Sequence, residues 1–298
     1  MAAEQPVQLR FRAMACPCRL VIYGPAQAAE AARDEVLRLQ DKYSRYLADS
    51  VTSRINAAAG QGAVDIDEET TGLLRYAHSA WQQSQGLFDI TAGVLRRAWD
   101  FRSKQPPSQA QIDALLPLID WSAVELAPAS VRLPMPGMEL DFGGFGKEYA
   151  VDAAAAAARA AGAKSGLIDL GGDIRVLGPH PDGSAWVVGI SDPCAPQQAR
   201  ARLPLLEGAL ATSGNYQRYF MHQGRRYCHL LNPRTGWPVQ GRLASASVAA
   251  PQCLIAGTAS TVAMLMGDAA GPEWLSNLGL PYLLIDQSSG LQGDLERC

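Results

Sequence analysis

Residues 139–152 read Glu-Leu-Asp-Phe-Gly-Gly-Phe-Gly-Lys-Glu-Tyr-Ala-Val-Asp. Asp141 precedes three closely spaced glycines, Lys147 follows at once, and an alanine-rich run begins behind it. A strand, a glycine turn and a helix start in that order present backbone N–H groups to a phosphate, with a cation alongside. The stretch is not a P-loop, because Glu148 follows the lysine and Asp141, not a glycine, stands where that motif needs its first glycine. Nor is it the dinucleotide fingerprint, since the glycines fall at 143, 144 and 146. The same glycines equally serve a tight strand-to-helix turn with no ligand, and these residues alone do not separate the two readings. Nucleophilic chemistry has weaker support. Ser213 in "TSGNY" lacks the G-x-S-x-G context and reads as a loop serine. Cys228 and His229 are chain neighbours and would face opposite sides of a strand.

The elements that must position the glycine turn follow from hydrophobic period and breakers. "CRLVIYG" at 18–24 predicts a strand, and 26–47 carries Val36, Leu37, Tyr43 and Leu47 at helical spacing. A unit closes at Gly60, a second helix is expected over 68–84, and 103–111 is a polar, proline-containing loop. Short strands are expected around 124–133 and 139–142, then a strong alanine helix over 148–162 ending at Gly162. "SGLIDLGGDIRVLG" and "AWVVGISDP" read as buried strands, and short strands with turns between them occupy 206–250. A last helix, 253–267, is apolar nearly all round and therefore buried; "LPYLLIDQSSG" closes as a strand. Strands and helices mix without βαβα alternation, which predicts an α+β fold of mixed or antiparallel sheets with packed helices.

The 298 residues can bury a sizeable core. With 48% apolar and 18% charged residues the composition is that of a globular protein. A net charge of −3 without a basic cluster excludes nucleic acid as the main partner. No apolar run approaches a membrane span and none follows a basic start, so a cytoplasmic location is expected, with a periplasmic one if an export signal has been trimmed. The six cysteines include one C-x-C pair, Cys16 and Cys18, and no second close pair, which predicts free thiols rather than a structural zinc.

Seven segments in order resemble the ApbE family of flavin transferases: "AMACPC" (13–18), "SRYLADSVTSRIN" (44–56), "GLFDITAG" (86–93), "LDFGGFGKEYAVD" (140–152), "IDLGGDIRVLG" (168–178), "TSGNYQRYF" (212–220) and "HLLNPRTGWP" (229–238). The resemblance covers about 10–285 and implies one ApbE-like, T-fold-like domain, either undivided or of two α/β sublobes with an FAD cleft between them. It implies FAD and Mg²⁺ as ligands and transfer of FMN from FAD to a threonine or serine of an acceptor protein, with AMP released. Under the resemblance, Asp141 and Lys147 contact FAD, as do Met14, Tyr46, Leu87, Phe88, Asp89 and Leu231. The carbonyl of Gly144 and the hydroxyl of Thr261 hold the metal, and His229 takes the proton of the acceptor hydroxyl. Read by itself, His229 is equally a strand histidine bonded to a backbone carbonyl, and each aromatic is equally a core residue.

The sequence departs from the family pattern at three places. Where the family's late helix carries A-D-A-x-x-T, this chain has Ala256-Gly257-Thr258-Ala259-Ser260-Thr261, so the aspartate is Gly257. The aspartate of H-x-x-D-P-x-T-G is Asn232, and Glu148 stands where many members have glycine. Mg²⁺ favours oxygen ligands including one or two carboxylates. Asp173 or another carboxylate therefore replaces the missing ligand, or the metal site is weak, or the chain is a non-catalytic FAD-binding protein such as a flavin carrier or electron-transfer accessory. An FAD pyrophosphatase differs from a transferase only in the attacking group.

Overall fold

The computed structural model describes residues 5–195 and 197–295. In chain order the elements begin with β1 (Val7–Ala13), β2 (Cys16–Tyr23), α1 (Ala26–Tyr43), α2 (Val51–Ala57), β3 (Val64–Asp65), α3 (Glu68–Gln83) and α4 (Gln109–Asp113). Next come β4 (Glu125–Leu126), β5 (Ser130–Arg132), α5 (Gly146–Ala160), β6 (Ser165–Leu170), β7 (Asp173–Gly178), β8 (Trp186–Ser191) and β9 (Ala199–Leu205). The chain closes with β10 (Gly208–Gly214), β11 (Tyr219–His222), β12 (Arg225–Cys228), β13 (Leu243–Ala250), α6 (Cys253–Leu278), β14 (Tyr282–Asp286) and β15 (Leu291–Gly293).

Eight strands form one sheet in the order β1-β2-β6-β7-β10-β13-β14-β15, every pair antiparallel. Period-2 alternation divides their side chains between two layers. Ala209 and Ala211 of β10 and Leu284 of β14 face the main core with α1, α5 and α6, while Leu210, Leu283 and Ile285 face the β8–β9 hairpin. A third cluster, Leu95, Trp99, Ile112, Phe220 and Tyr227, lies away from the sheet and joins the 90–119 segment to the β11–β12 hairpin. The antiparallel α+β expectation is met.

Three expectations need correction. The first helix stops at Tyr43, not at 47, because Ser44 turns extended (φ −62°, ψ 129°) and its hydroxyl accepts the N–H groups of Tyr46 and Leu47 at 3.1 and 3.3 Å. A local side-chain acceptor here outcompetes the helix. Residues 139–142 are not a strand. The backbone of Leu140 is held by the Asn56 amide, which donates to its carbonyl (3.0 Å) and accepts its N–H (2.7 Å), so a side chain replaces the neighbouring strand. Ser213 lies in β10 rather than a loop.

The late helix extends to Leu278 across a break at Gly267 (φ 78°, ψ −167°), with Pro272 inside it. By length and composition alone it would cross a membrane, yet half of its most apolar window is buried inside the protein, as in a core helix. Cys16, Cys18, Cys194, Cys228 and Cys253 are free thiols; Cys298 lies outside the described residues.

Candidate active site

The glycine turn is assembled from both sides. Asp141 Oδ1 accepts the Gly143 N–H at 2.8 Å, closing the 3₁₀ turn Phe142–Gly144, and the other carboxylate oxygen pairs with Arg45. Its backbone N–H reaches the Ile90 carbonyl at 2.9 Å, which ties the turn to the 86–93 segment. Gly93 is required by that approach, since a Cβ there would stand 2.6 Å from Asp141 Cβ. Tyr43, at the end of α1, packs on Phe142 with ring centroids 4.7 Å apart. Gly143 and Gly144 are exposed, and α5 begins behind them with no side-chain cap on its first N–H groups. Uncapped N–H groups and the positive end of a 15-residue helix draw an anion.

Two cations flank this helix end. Arg45 was not singled out from sequence, where an arginine in "SRYL" carries no signal of its own. Its guanidinium lies 5.1 Å from the Tyr46 ring centroid and donates to the Tyr46 hydroxyl at 3.0 Å. Tyr46 is 80% exposed and offers an open aromatic face. Lys147 pairs with the buried Asp173, whose other oxygen accepts the Thr212 N–H at 3.3 Å. Asp173 is therefore already paired with a cation and bonded to a strand N–H. Met14 sits at the tip of the β1–β2 turn with φ +48°, next to Ala15 at φ +60°, and its N–H is held by Gln40 Oε1 at 2.6 Å. Non-glycine residues in the left-handed region are strained and persist only where the surroundings hold them.

The 86–93 residues stand behind the turn. Phe88 is 4% exposed, packs edge-on against Phe145 (5.9 Å) and backs Gly144, so it belongs to the core and not to an open ring-stacking surface. Asp89 is also occupied: it accepts from Thr91 N–H (2.8 Å), Thr91 hydroxyl (2.5 Å) and Trp121 N–H (3.2 Å). Burial raises its carboxyl pKa, with those three bonds opposing. Leu87 is half-buried.

The 229–238 turn is anchored to the same segment by Arg234, which donates to the Gln85 carbonyl. His229 is half-buried, and its Nδ1 lies 3.3 Å from the Arg218 carbonyl. Burial, then the Arg218 charge, push its pKa down to about 4, so the imidazole is neutral at pH 7 but a weaker base than a free histidine. Leu231 is half-buried, bridges to Pro238 and packs on the third cluster. Asn232 does not point to a lost metal site. Its Oδ1 accepts the Arg234 N–H at 2.9 Å in an Asx turn, a role an aspartate fills in the same way.

Thr261 lies on α6 and shares a hydrogen bond with Ser213 at 2.6 Å; the Ser260 hydroxyl lies 3.0 Å from Ser213 Oγ and donates to the Gly257 carbonyl at 2.9 Å. Glu148 is 8% exposed and turned toward α6. A Cβ on Gly257 would overlap Glu148 Cγ and stand 3.0 Å from its Cδ and Oε1. Glu148 Oε2 is buried without a hydrogen-bond partner, and burial raises the carboxyl pKa. No group of three or more His, Cys, Asp or Glu able to hold a metal is present among the described residues. One carboxylate, the Gly144 carbonyl and the Thr261 hydroxyl nevertheless suit a hard cation that completes its shell with water and phosphate oxygens. The donor set fits Mg²⁺.

The sequence profile of the ApbE family matches residues 14–284. An FAD:protein FMN transferase of Klebsiella pneumoniae is 32% identical over 241 residues, 79% of this chain and 74% of that protein. One from Rhodobacter capsulatus is 32% identical over 237 residues, 77% of this chain but only 45% of the longer relative. Among solved structures, the ApbE protein from Thermotoga maritima superposes with a TM-score of 0.89 at 30% identity, covering 99% of this chain and all of the other. The site geometry and these likenesses agree, and the chain belongs to the ApbE family.

Proposed function

We propose that this protein is an FAD:protein FMN transferase, moving FMN from FAD to a threonine or serine hydroxyl of an acceptor protein with Mg²⁺ bound. The observation that carries the reading is the uncapped start of α5 behind exposed Gly143 and Gly144, with Arg45 and Lys147 on either side. Free N–H groups and two cations there match a diphosphate in charge and in donors. Tyr46, bonded to the same Arg45 that pairs with Asp141, offers an exposed aromatic face on which a flat ring can rest, and Met14 would offer a thioether face.

In the reaction the acceptor oxygen forms a bond to the FMN phosphorus, and the bond from that phosphorus to the bridging diphosphate oxygen breaks. AMP leaves with the electron pair. His229, neutral at pH 7, takes the hydroxyl proton. Arg45, Lys147 and the α5 N–H groups stabilise the diphosphate charge as it develops. When bound, Mg²⁺ supplies further Lewis-acid neutralisation of the same phosphates. The paired state of Lys147 with Asp173 fixes the ammonium before the ligand arrives.

The test mixes the protein with FAD and an acceptor peptide bearing a threonine, with Mg²⁺ or EDTA. In-gel flavin fluorescence of the denatured peptide and chromatography of AMP are read. Label and equimolar AMP only with Mg²⁺ are expected; AMP and free FMN without label would favour water as the attacking group. His229→Ala is expected to slow transfer by about 10²–10⁴-fold while FAD binding, read by flavin fluorescence, stays near wild type. Equal loss of both would remove His229 from the role of base.

A further inference from the structure

We propose that Glu148, on α5, is the carboxylate ligand of the metal, filling from the opposite helix the place that a side chain at position 257 of α6 would occupy. The proposal rests on the functional reading above for the identity of the cation, Mg²⁺. Its structural basis is independent of that reading.

Three observations converge. Glu148 is an acid buried between two helices with one oxygen lacking any hydrogen-bond partner, a state that a protein interior does not leave uncompensated. Its surroundings do not lack the means to satisfy a carboxylate, because Asp152, one turn later on the same face of α5, accepts the Cys253 and Leu254 N–H groups at 2.9 Å each and meets Arg175 at 3.3 Å. Both Asp152 oxygens are bonded, whereas Glu148 Oε2 is not. Finally, Gly257 has no room for a Cβ while Glu148 is in place. The two positions form one exchange: a carboxylate on α5 requires glycine on α6.

The other oxygen donors lie at the ends of the same two elements. Gly144 closes the 3₁₀ turn just before α5, and Thr261 follows Gly257 by four residues on α6. Residues four apart on a helix lie one above the other. The Glu148–Gly257 contact therefore brings the α5 start and the Thr261 turn of α6 together, with Ser213 behind Thr261 at 2.6 Å. The lone pair of Glu148 Oε2 supplies the charge this set otherwise lacks.

The experiment titrates Mn²⁺, as a spectroscopic stand-in for Mg²⁺, into the full chain by electron paramagnetic resonance, with and without FAD and with no acceptor present. Loss of even an outer-shell partner of a ligand costs about 10–100-fold in metal affinity, so Glu148→Gln is expected to weaken Mn²⁺ binding at least that much. FAD binding in EDTA should stay unchanged. The exchange E148G/G257D moves the carboxylate to α6 and should return Mn²⁺ affinity to near wild type, whereas Gly257→Asp alone should not tighten it. If Glu148→Gln fails to fold, the exchange variant decides by the same titration. Wild-type affinity in Glu148→Gln, failure of the exchange to bind Mn²⁺, or absence of Mn²⁺ binding by the wild-type chain would each overturn the proposal. Intact, Glu148-dependent Mn²⁺ binding without FMN transfer would count against the transferase reading alone.

Discussion

Asp152 and Glu148 stand one turn apart on α5, both facing α6, and the fold treats them in opposite ways. Asp152 is spent on structure. The Gln252 side chain makes no capping bond at the start of α6, and Asp152 supplies that cap from another helix, with Arg175 balancing its charge. Glu148 is buried more deeply than the half-buried Asp152 and has an unbonded oxygen. The contrast teaches that burial alone does not make a carboxylate structural; its count of partners does. The same distinction separates the other acids of the site. Asp89, Asp141 and Asp173 each have their oxygens committed to turns, N–H groups or cations, whereas Glu148 Oε2 has no such partner.

Removing the structural member should have the largest effect. Asp152→Ala frees two N–H groups of α6 and leaves Arg175 without its partner, so it should destabilise the fold by about 2–3 kcal/mol, measured by urea denaturation in EDTA. Its Mn²⁺ affinity per folded molecule should be that of the wild type. Gly257→Asp forces overlap with Glu148 Cγ and should cost on the order of 1–3 kcal/mol; Glu148→Gly in the same chain should remove most of that cost, a coupling that a double-mutant cycle reads directly. Glu148→Gln should change metal-free stability by less than about 1 kcal/mol. Mg²⁺ at a hundred times its dissociation constant should add about 2.7 kcal/mol to the wild type and nothing comparable to Glu148→Gln. A Glu148→Gln variant as unstable in EDTA as Asp152→Ala would collapse the contrast.

A separate effect concerns pH. The His229 pKa is pushed from 6.5 to about 4 by burial and then by Arg218. Its neutral form persists down to about pH 4, so the acid limb of the transfer rate should fall near 4 rather than near 6.5. The unfolded chain takes the proton first, so stability linked to this group is full above 6.5 and is lost as pH falls toward 4. His229→Ala should remove that increment from the stability–pH curve.

Much of the frame was legible in the sequence because it rests on local signals. Apolar runs bounded by turn residues marked β6, β7, β8 and β14, and alanine content with Gly162 (φ +93°) marked α5 and its end. The glycine turn was visible from its glycines and lysine. What escaped depends on partners distant in the chain. Residues 139–142 carry apolar side chains at strand-like spacing, yet the Asn56 amide rather than another strand satisfies Leu140. Ser44 ends α1 with its own hydroxyl, a competition that period alone does not register. Gly257 read as a missing ligand and Glu148 as an incidental departure. Only their contact across two helices joins them, and single-sequence periodicity is blind to such a pair. Ser213 was passed over for a related reason, since its partner Thr261 belongs to another element.

The most direct measurement is anomalous diffraction from crystals of the full chain grown with FAD and Mn²⁺. A single strong manganese peak is expected, bonded to a Glu148 carboxylate oxygen, with Thr261 and the Gly144 carbonyl beside it and FAD phosphate oxygens completing its shell. A manganese peak held by Asp173 or another carboxylate, with Glu148 turned away and still unpartnered, would contradict it.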